Sequence, residues 1–136
     1  MTAPQHRLDV VVPAEAIRLA EVRAAVRQFL DRVGAAEPEQ QSVVLAVSEA
    51  ANNVVTHAYR DRDVAGELRV QAHVEADRLA VLVADDGQGV APRPDSPGAG
   101  LGMPLMATLA ESLSVTHTDS GGTCVILNFV LGRAAN

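Results

Sequence analysis

Apolar positions along this chain follow two rhythms: short runs that read as strands, and longer stretches in which they recur every three to four residues. "RLDVVVPA" is a short strand closed by Pro13. "AEAIRLAEVRAAVRQFLDRVG" follows as a helix with Ile17, Val22, Val26, Phe29, Leu30 and Val33 at helical spacing, ended by Gly34. A second helix is predicted after Glu37, with Pro38 in its first turn, running to about Tyr59 through "EQQSVVLAVSEAANNVVTHAY". "GELRVQAHVEA" and "RLAVLVAD" read as two strands joined by an acidic turn around Asp77. "MPLMATLAESL" reads as a third helix. "SLSVTHTD", a "SGG" turn and "TCVILNFVL" then form a late hairpin. This order predicts one α+β domain over residues 1–136, a two-layer sandwich in which helices cover one face of a mainly antiparallel mixed sheet.

The second helix divides into two faces. At 100° per residue, Val43, Val47, Ala50, Ala51, Val54 and Ala58 fall on one side, and Glu49, Asn53 and His57 recur every fourth residue on the other. A solvated face is the plain reading of such a stripe. Asn and β-branched residues in "ANNVVTH", however, are poor choices for the middle of an exposed helix. A carboxylate one turn from a neutral amide oxygen also suits Mg²⁺ and a hydroxyl beside a phosphate. His57, near the helix end, is read as a helix-end hydrogen bonder, and His6, His73 and His117 are assigned no role.

Between the second of the paired strands and the third helix lies "DDGQGVAPRPDSPGAGLG", a glycine- and proline-rich passage. Asp-Gly is a hairpin signal, but the prolines of "VAPRPDSP" forbid a return strand. Asp85 therefore ends its strand facing whatever the loop encloses, with Gly87 and Gly89 leaving that space clear of side chains. A strand, a glycine-rich loop and a helix N-terminus together make a phosphate cradle of backbone amides.

Composition narrows the ligand. Apolar residues form 48% of the 136-residue chain and aromatics 2%, so the core is aliphatic and there are no stacking platforms for single-stranded nucleic acid. The net charge is −6 and the basic residues do not cluster, which argues against nucleic acid and anionic membranes as partners. A bound polyphosphate would need local amides and a metal ion instead. The lone cysteine, Cys124, sits in an apolar run and rules out an internal disulfide. "MTAPQHRLDVVVP" lacks the pattern of a signal peptide, and no run reaches membrane-spanning length, so a cytoplasmic protein is expected.

In this order and spacing, "SEAANNVVTHAY", "DDGQG", "GAGLGM" and "GGT" resemble the ATP-binding fold shared by gyrase, MutL and histidine kinases. Within it the chain looks most like the bacterial anti-sigma-factor serine kinases of partner-switching systems, over about residues 8 to 131. The resemblance implies ATP and Mg²⁺ as cofactors, Glu49 as general base and Asn53 as the Mg²⁺ ligand. It implies Asp85 as acceptor of the adenine amino group, with Gly87 and Gly89 beneath the base. Gly100, Leu101 and Gly102 would wrap the phosphates, Pro104 would start the following helix, and the Thr123 hydroxyl would support Asp85, often through water. The implied partners are a sigma factor and an anti-anti-sigma antagonist protein phosphorylated on serine, with a homodimer among the assemblies allowed. Ser48 stands where many histidine kinases carry a histidine, and no upstream helix pair presents a phospho-acceptor, which argues against a histidine kinase. The lid between Gly89 and Gly98, "VAPRPDSP", is short with one basic residue, Arg93. That keeps open a second class, a non-catalytic module whose partner affinity responds to ATP or ADP.

Overall fold

The strands are β1 (Arg7–Pro13), β2 (Glu67–Glu75), β3 (Arg78–Asp85), β4 (Ser112–His117) and β5 (Thr123–Val130), and the helices are α1 (Leu19–Arg32), α2 (Glu37–Asn53) and α3 (Gly102–Leu109). The computed structural model describes residues 6–58, 66–87, 102–117 and 122–132. The strands form one sheet in the order β1-β2-β3-β5-β4, and every pairing is antiparallel. Among the described residues no helix is long and apolar enough to cross a membrane.

The period-2 pattern divides the sheet into two faces. Leu68, Val70, Ala72 and Val74 of β2, Leu79, Val81 and Val83 of β3, and Val125, Leu127 and Phe129 of β5 are buried on one of them. Their in-between neighbours are mostly half-buried or exposed. The inner rows meet Val22, Val26, Phe29 and Leu30 of α1 and Val43, Val47, Ala50 and Ala51 of α2 in a single cluster. Each fully buried Val or Leu contributes about 1.5–3 kcal/mol relative to exposure, which lets an aliphatic core hold the two layers together.

Helix ends follow the local chemistry. Gly34 takes φ +77°, and the Gly34 and Ala35 amides donate to the Asp31 and Leu30 carbonyls at 3.1 and 3.0 Å, a Schellman stop for α1. Gln40, buried in α2, donates through Nε2 to Asp31 Oδ1 at 2.9 Å and to the Ala35 carbonyl at 3.1 Å, which ties α1 to α2. α2 does not stop at Asn53 but loosens into a π-helical turn, Val54–Ala58, in which Val54 and Ala58 remain buried. The expected helix end at Tyr59 lies just outside the described residues.

One expectation about the core is corrected. Ile17 is 83% exposed, in a 3₁₀ turn (Ala16–Arg18) that precedes α1. It stands five residues before Val22, about 140° away on a helical wheel, so it could not share the buried stripe. Leu19, three residues before Val22, is the one that packs against the core.

Candidate functional site

Asp85 extends the inner row of β3 past Val83 to the rim of the sheet, where its side chain is half-buried. In register it stands opposite Leu68 on β2. On its other side the β3–β5 ladder ends at Ala84↔Cys124, which brings Thr123 next to Asp85. One carboxylate oxygen, Oδ1, accepts both the Gly87 amide at 2.9 Å and the Thr123 amide at 3.3 Å. Both of these bonds fall on the same oxygen of the carboxylate. Burial pushes the Asp85 carboxyl above its usual value, and the Asp86 charge adds to this. The two amides and His117 act against the rise without cancelling it.

Two glycines make this corner. A Cβ on Gly87 would collide with the carbonyl oxygen of Ala58, and one on Gly122 with the carbonyl oxygen of Asp85. Gly87 thus seats the start of the loop on the π-helical turn that follows Asn53, and Gly122 lets β5 begin hard against Asp85. In the sequence Gly122 stands out only as part of the "SGG" turn and the "GGT" motif, neither of which shows its close approach to Asp85. Thr123 is buried. Its hydroxyl lies 3.5 Å from His117 Nδ1 across the β4–β5 hairpin, while its amide is the group that reaches Asp85.

Glu49, Asn53 and His57 are all half-buried, whereas Asn52 and Thr56 beside them are exposed, so the stripe is not a fully solvated face. Ser48 turns back onto its own helix, its hydroxyl donating to the Val44 carbonyl at 2.7 Å. Among the described residues, no group of three His, Cys, Asp or Glu is suited to a metal. A single carboxylate and a neighbouring amide nevertheless fit Mg²⁺, which keeps several waters and needs few protein ligands beside substrate phosphates. Gly102 begins α3, so Pro104 falls in that helix's first turn. Gly89, Gly100, Leu101 and the lid with Arg93 lie outside the described residues. The structure thus brings Asp85, Gly87 and Thr123 into direct contact and joins them through Ala58 to the helix that carries Glu49 and Asn53.

A two-layer sandwich with an aspartate at the rim of its inner face, a glycine turn seated on a polar-striped helix and a helix beyond the loop defines an ATPase-type nucleotide domain. Residues 12–129 match the histidine kinase-like ATPase domain family, and the chain belongs to it. Within that family it falls among the anti-sigma-factor serine kinases. It is 30% identical over 140 residues to a serine-protein kinase RsbW of Bacillus cereus, spanning 92% of this chain and 86% of the relative. It is 31% identical over 116 residues to the anti-sigma F factor of Clostridium novyi (strain NT), spanning 77% and 80%. The crystal structure of the RsbU and RsbW domains of Rv1364c from Mycobacterium tuberculosis superposes with a TM-score of 0.75 at 27% identity. That match covers 96% of this chain and about a third, 34%, of the longer one. The SiaB–SiaC complex from Pseudomonas aeruginosa, at 16% identity and a TM-score of 0.61, shares the fold.

Proposed function

We propose that this chain is a single ATP-binding domain that works as a serine kinase and anti-sigma factor, holding a sigma factor in one state and phosphorylating a small antagonist protein on serine in another. The nucleotide part rests on the Asp85 corner. One oxygen is fixed by two backbone amides, and in this reading the other is the one that meets the ligand. A carboxylate oxygen held there accepts from the adenine amino group, whereas guanine presents a carbonyl oxygen at the same place and is repelled. Family membership and the RsbW and anti-sigma F relatives support the kinase and anti-sigma assignments.

In this reading Gly87 and Gly89 lie beneath the base, and Gly100, Leu101 and Gly102 give backbone amides to the phosphates. Asn53 would hold Mg²⁺, which when bound neutralises phosphate charge. Phosphoryl transfer asks little covalent chemistry of the protein and depends mainly on positioning and charge stabilisation. The serine oxygen bonds to the terminal phosphorus, the bond from that phosphorus to the bridging oxygen breaks, ADP leaves and the serine proton passes to Glu49. Glu49 precedes Asn53 by one helical turn, so base and metal ligand project from the same side of α2.

Calorimetric titration with ATP, ADP and GTP tests the nucleotide part. ATP and ADP should bind and GTP should bind at least tenfold more weakly, roughly the value of one charge-assisted hydrogen bond. Equal affinity for ATP and GTP would remove Asp85 from the adenine site.

A further inference from the structure

Two small residues make the contact that joins the two ends of the site. Gly87 is buried, and its amide donates to Asp85 Oδ1 at 2.9 Å. A Cβ on Gly87 would fall 3.1 Å from the Ala58 Cβ and would collide with the Ala58 carbonyl. Ala58 is itself 3% exposed and closes the π-helical turn Val54–Ala58, which starts directly after Asn53. A π turn joins residues five apart instead of four, and such turns recur at functional sites. Five is also the step along the chain from Asn53 to Ala58. The path from the Asp85 carboxylate to Asn53 thus runs through one loop residue without a side chain and one helical turn, and the contact between them is too close to admit a methyl group. We propose that Ala58 is a positioning residue: by bearing on Gly87 it sets the spacing between the carboxylate that takes the base and the Asn53 amide oxygen that takes the metal. This rests on the reading of Asp85 as the adenine acceptor and Asn53 as the Mg²⁺ ligand.

A close-packed interior transmits a displacement rather than absorbing it. A change of volume at Ala58 must therefore move the turn that follows Asn53 or the loop that starts at Gly87. Asp85 is held from other directions as well, by the Thr123 amide at 3.3 Å and by the pairing of β3 with β2 and β5. The carboxylate therefore stays in place while the spacing to Asn53 changes. A ligand that touches only the base end is indifferent to that spacing. A nucleotide bound with its metal reaches both ends, and its affinity depends on their being arranged in advance. If Ala58 only filled the core, its replacement would lower stability and weaken both kinds of ligand alike.

The test is calorimetric titration of adenosine and of MgADP into wild type, Ala58→Gly and Ala58→Val, with melting curves to confirm folding. Ala58→Val adds two methyl groups at the contact, and Ala58→Gly removes the one already there. Val26→Ala, a truncation on the buried face of α1, shows what lost stability does by itself. Both Ala58 variants should bind MgADP about three- to tenfold more weakly than wild type, the worth of one net hydrogen bond, and adenosine within about twofold. Val26→Ala should keep the wild-type ratio of the two affinities. If Ala58→Val does not fold, Ala58→Gly decides the comparison. An unchanged ratio of MgADP to adenosine affinity in a folded Ala58 variant overturns the proposal while leaving the adenine and metal sites standing. Absence of MgADP binding by wild type overturns both.

Discussion

Replacing Asp85 by Asn separates the structural work of this side chain from its ligand work. Oδ1 accepts the Gly87 and Thr123 amides at 2.9 and 3.3 Å, and an asparagine oxygen in the same place accepts both. The fold should therefore lose little, within about 1 kcal/mol, since only the charge on two retained hydrogen bonds is removed. The amide nitrogen then replaces Oδ2 and presents hydrogens to the adenine amino group, donor against donor. Losing one charge-assisted bond costs about 1.5–3 kcal/mol, so ATP and ADP affinity should fall by about 10- to 150-fold. The same nitrogen can donate to the guanine carbonyl oxygen, so the ratio of GTP to ATP affinity should rise. Asp85→Ala, in contrast, strands both amides and should destabilise by about 1–3 kcal/mol. Urea unfolding read beside calorimetry with both nucleotides checks each part. An Asp85→Asn protein that binds ATP as tightly as wild type, with no gain toward GTP, would show that Asp85 does not receive the adenine amino group.

Further outcomes concern the surroundings of that carboxylate. Gly122→Ala should destabilise by about 1–3 kcal/mol in chemical denaturation and weaken ATP binding too, because the new Cβ meets the Asp85 carbonyl. Burial raises Asp85 above its ordinary value of 3.8, so just above that pH the folded chain keeps a proton that the unfolded chain has lost. The stability difference between wild type and Asp85→Asn should therefore move in favour of wild type as pH falls from about 6 toward about 4, measured by urea unfolding, while ATP affinity falls over the same window. Asn53→Ala should stay within about 0.5 kcal/mol of wild-type stability yet lose the Mg²⁺ dependence of ATP binding, checked by denaturation and by titration with and without the metal.

The layers and the inner rows were legible because side-chain period reports burial directly: Leu68, Val70, Leu79, Val81 and Val83 sit where alternation puts them. Asp85 was legible because it extends one of those rows into a loop that cannot return as a strand. What could not be read depends on contacts between distant segments. Thr123 could be placed near Asp85 only by resemblance, and that its amide is the bonding group follows from the β3–β5 register. Gly122 is required by the same register. His117 looked isolated because its link to Thr123 exists only once the β4–β5 hairpin is aligned. Ile17 is apolar and counts toward the helical spacing of α1 although its angular phase does not fit the buried stripe, and the π-helical turn after Asn53 leaves no mark in apolar spacing because Val54 and Ala58 stay buried through it.

Transfer of phosphate from ATP to a protein serine, with Glu49 taking the proton, can be followed by label. Wild type and Glu49→Gln are incubated with labelled ATP and the antagonist that co-purifies with the tagged protein from its host, and the label is then mapped on the antagonist. The glutamine keeps the shape of the side chain but cannot accept the proton, so ATP binding should persist while transfer falls by about 10²- to 10⁴-fold. Label should appear on a serine with wild type only. Tight ATP binding by wild type with no label on any co-purified protein would contradict the kinase assignment and favour a nucleotide-responsive binding module, and equal labelling by Glu49→Gln would contradict the role of Glu49.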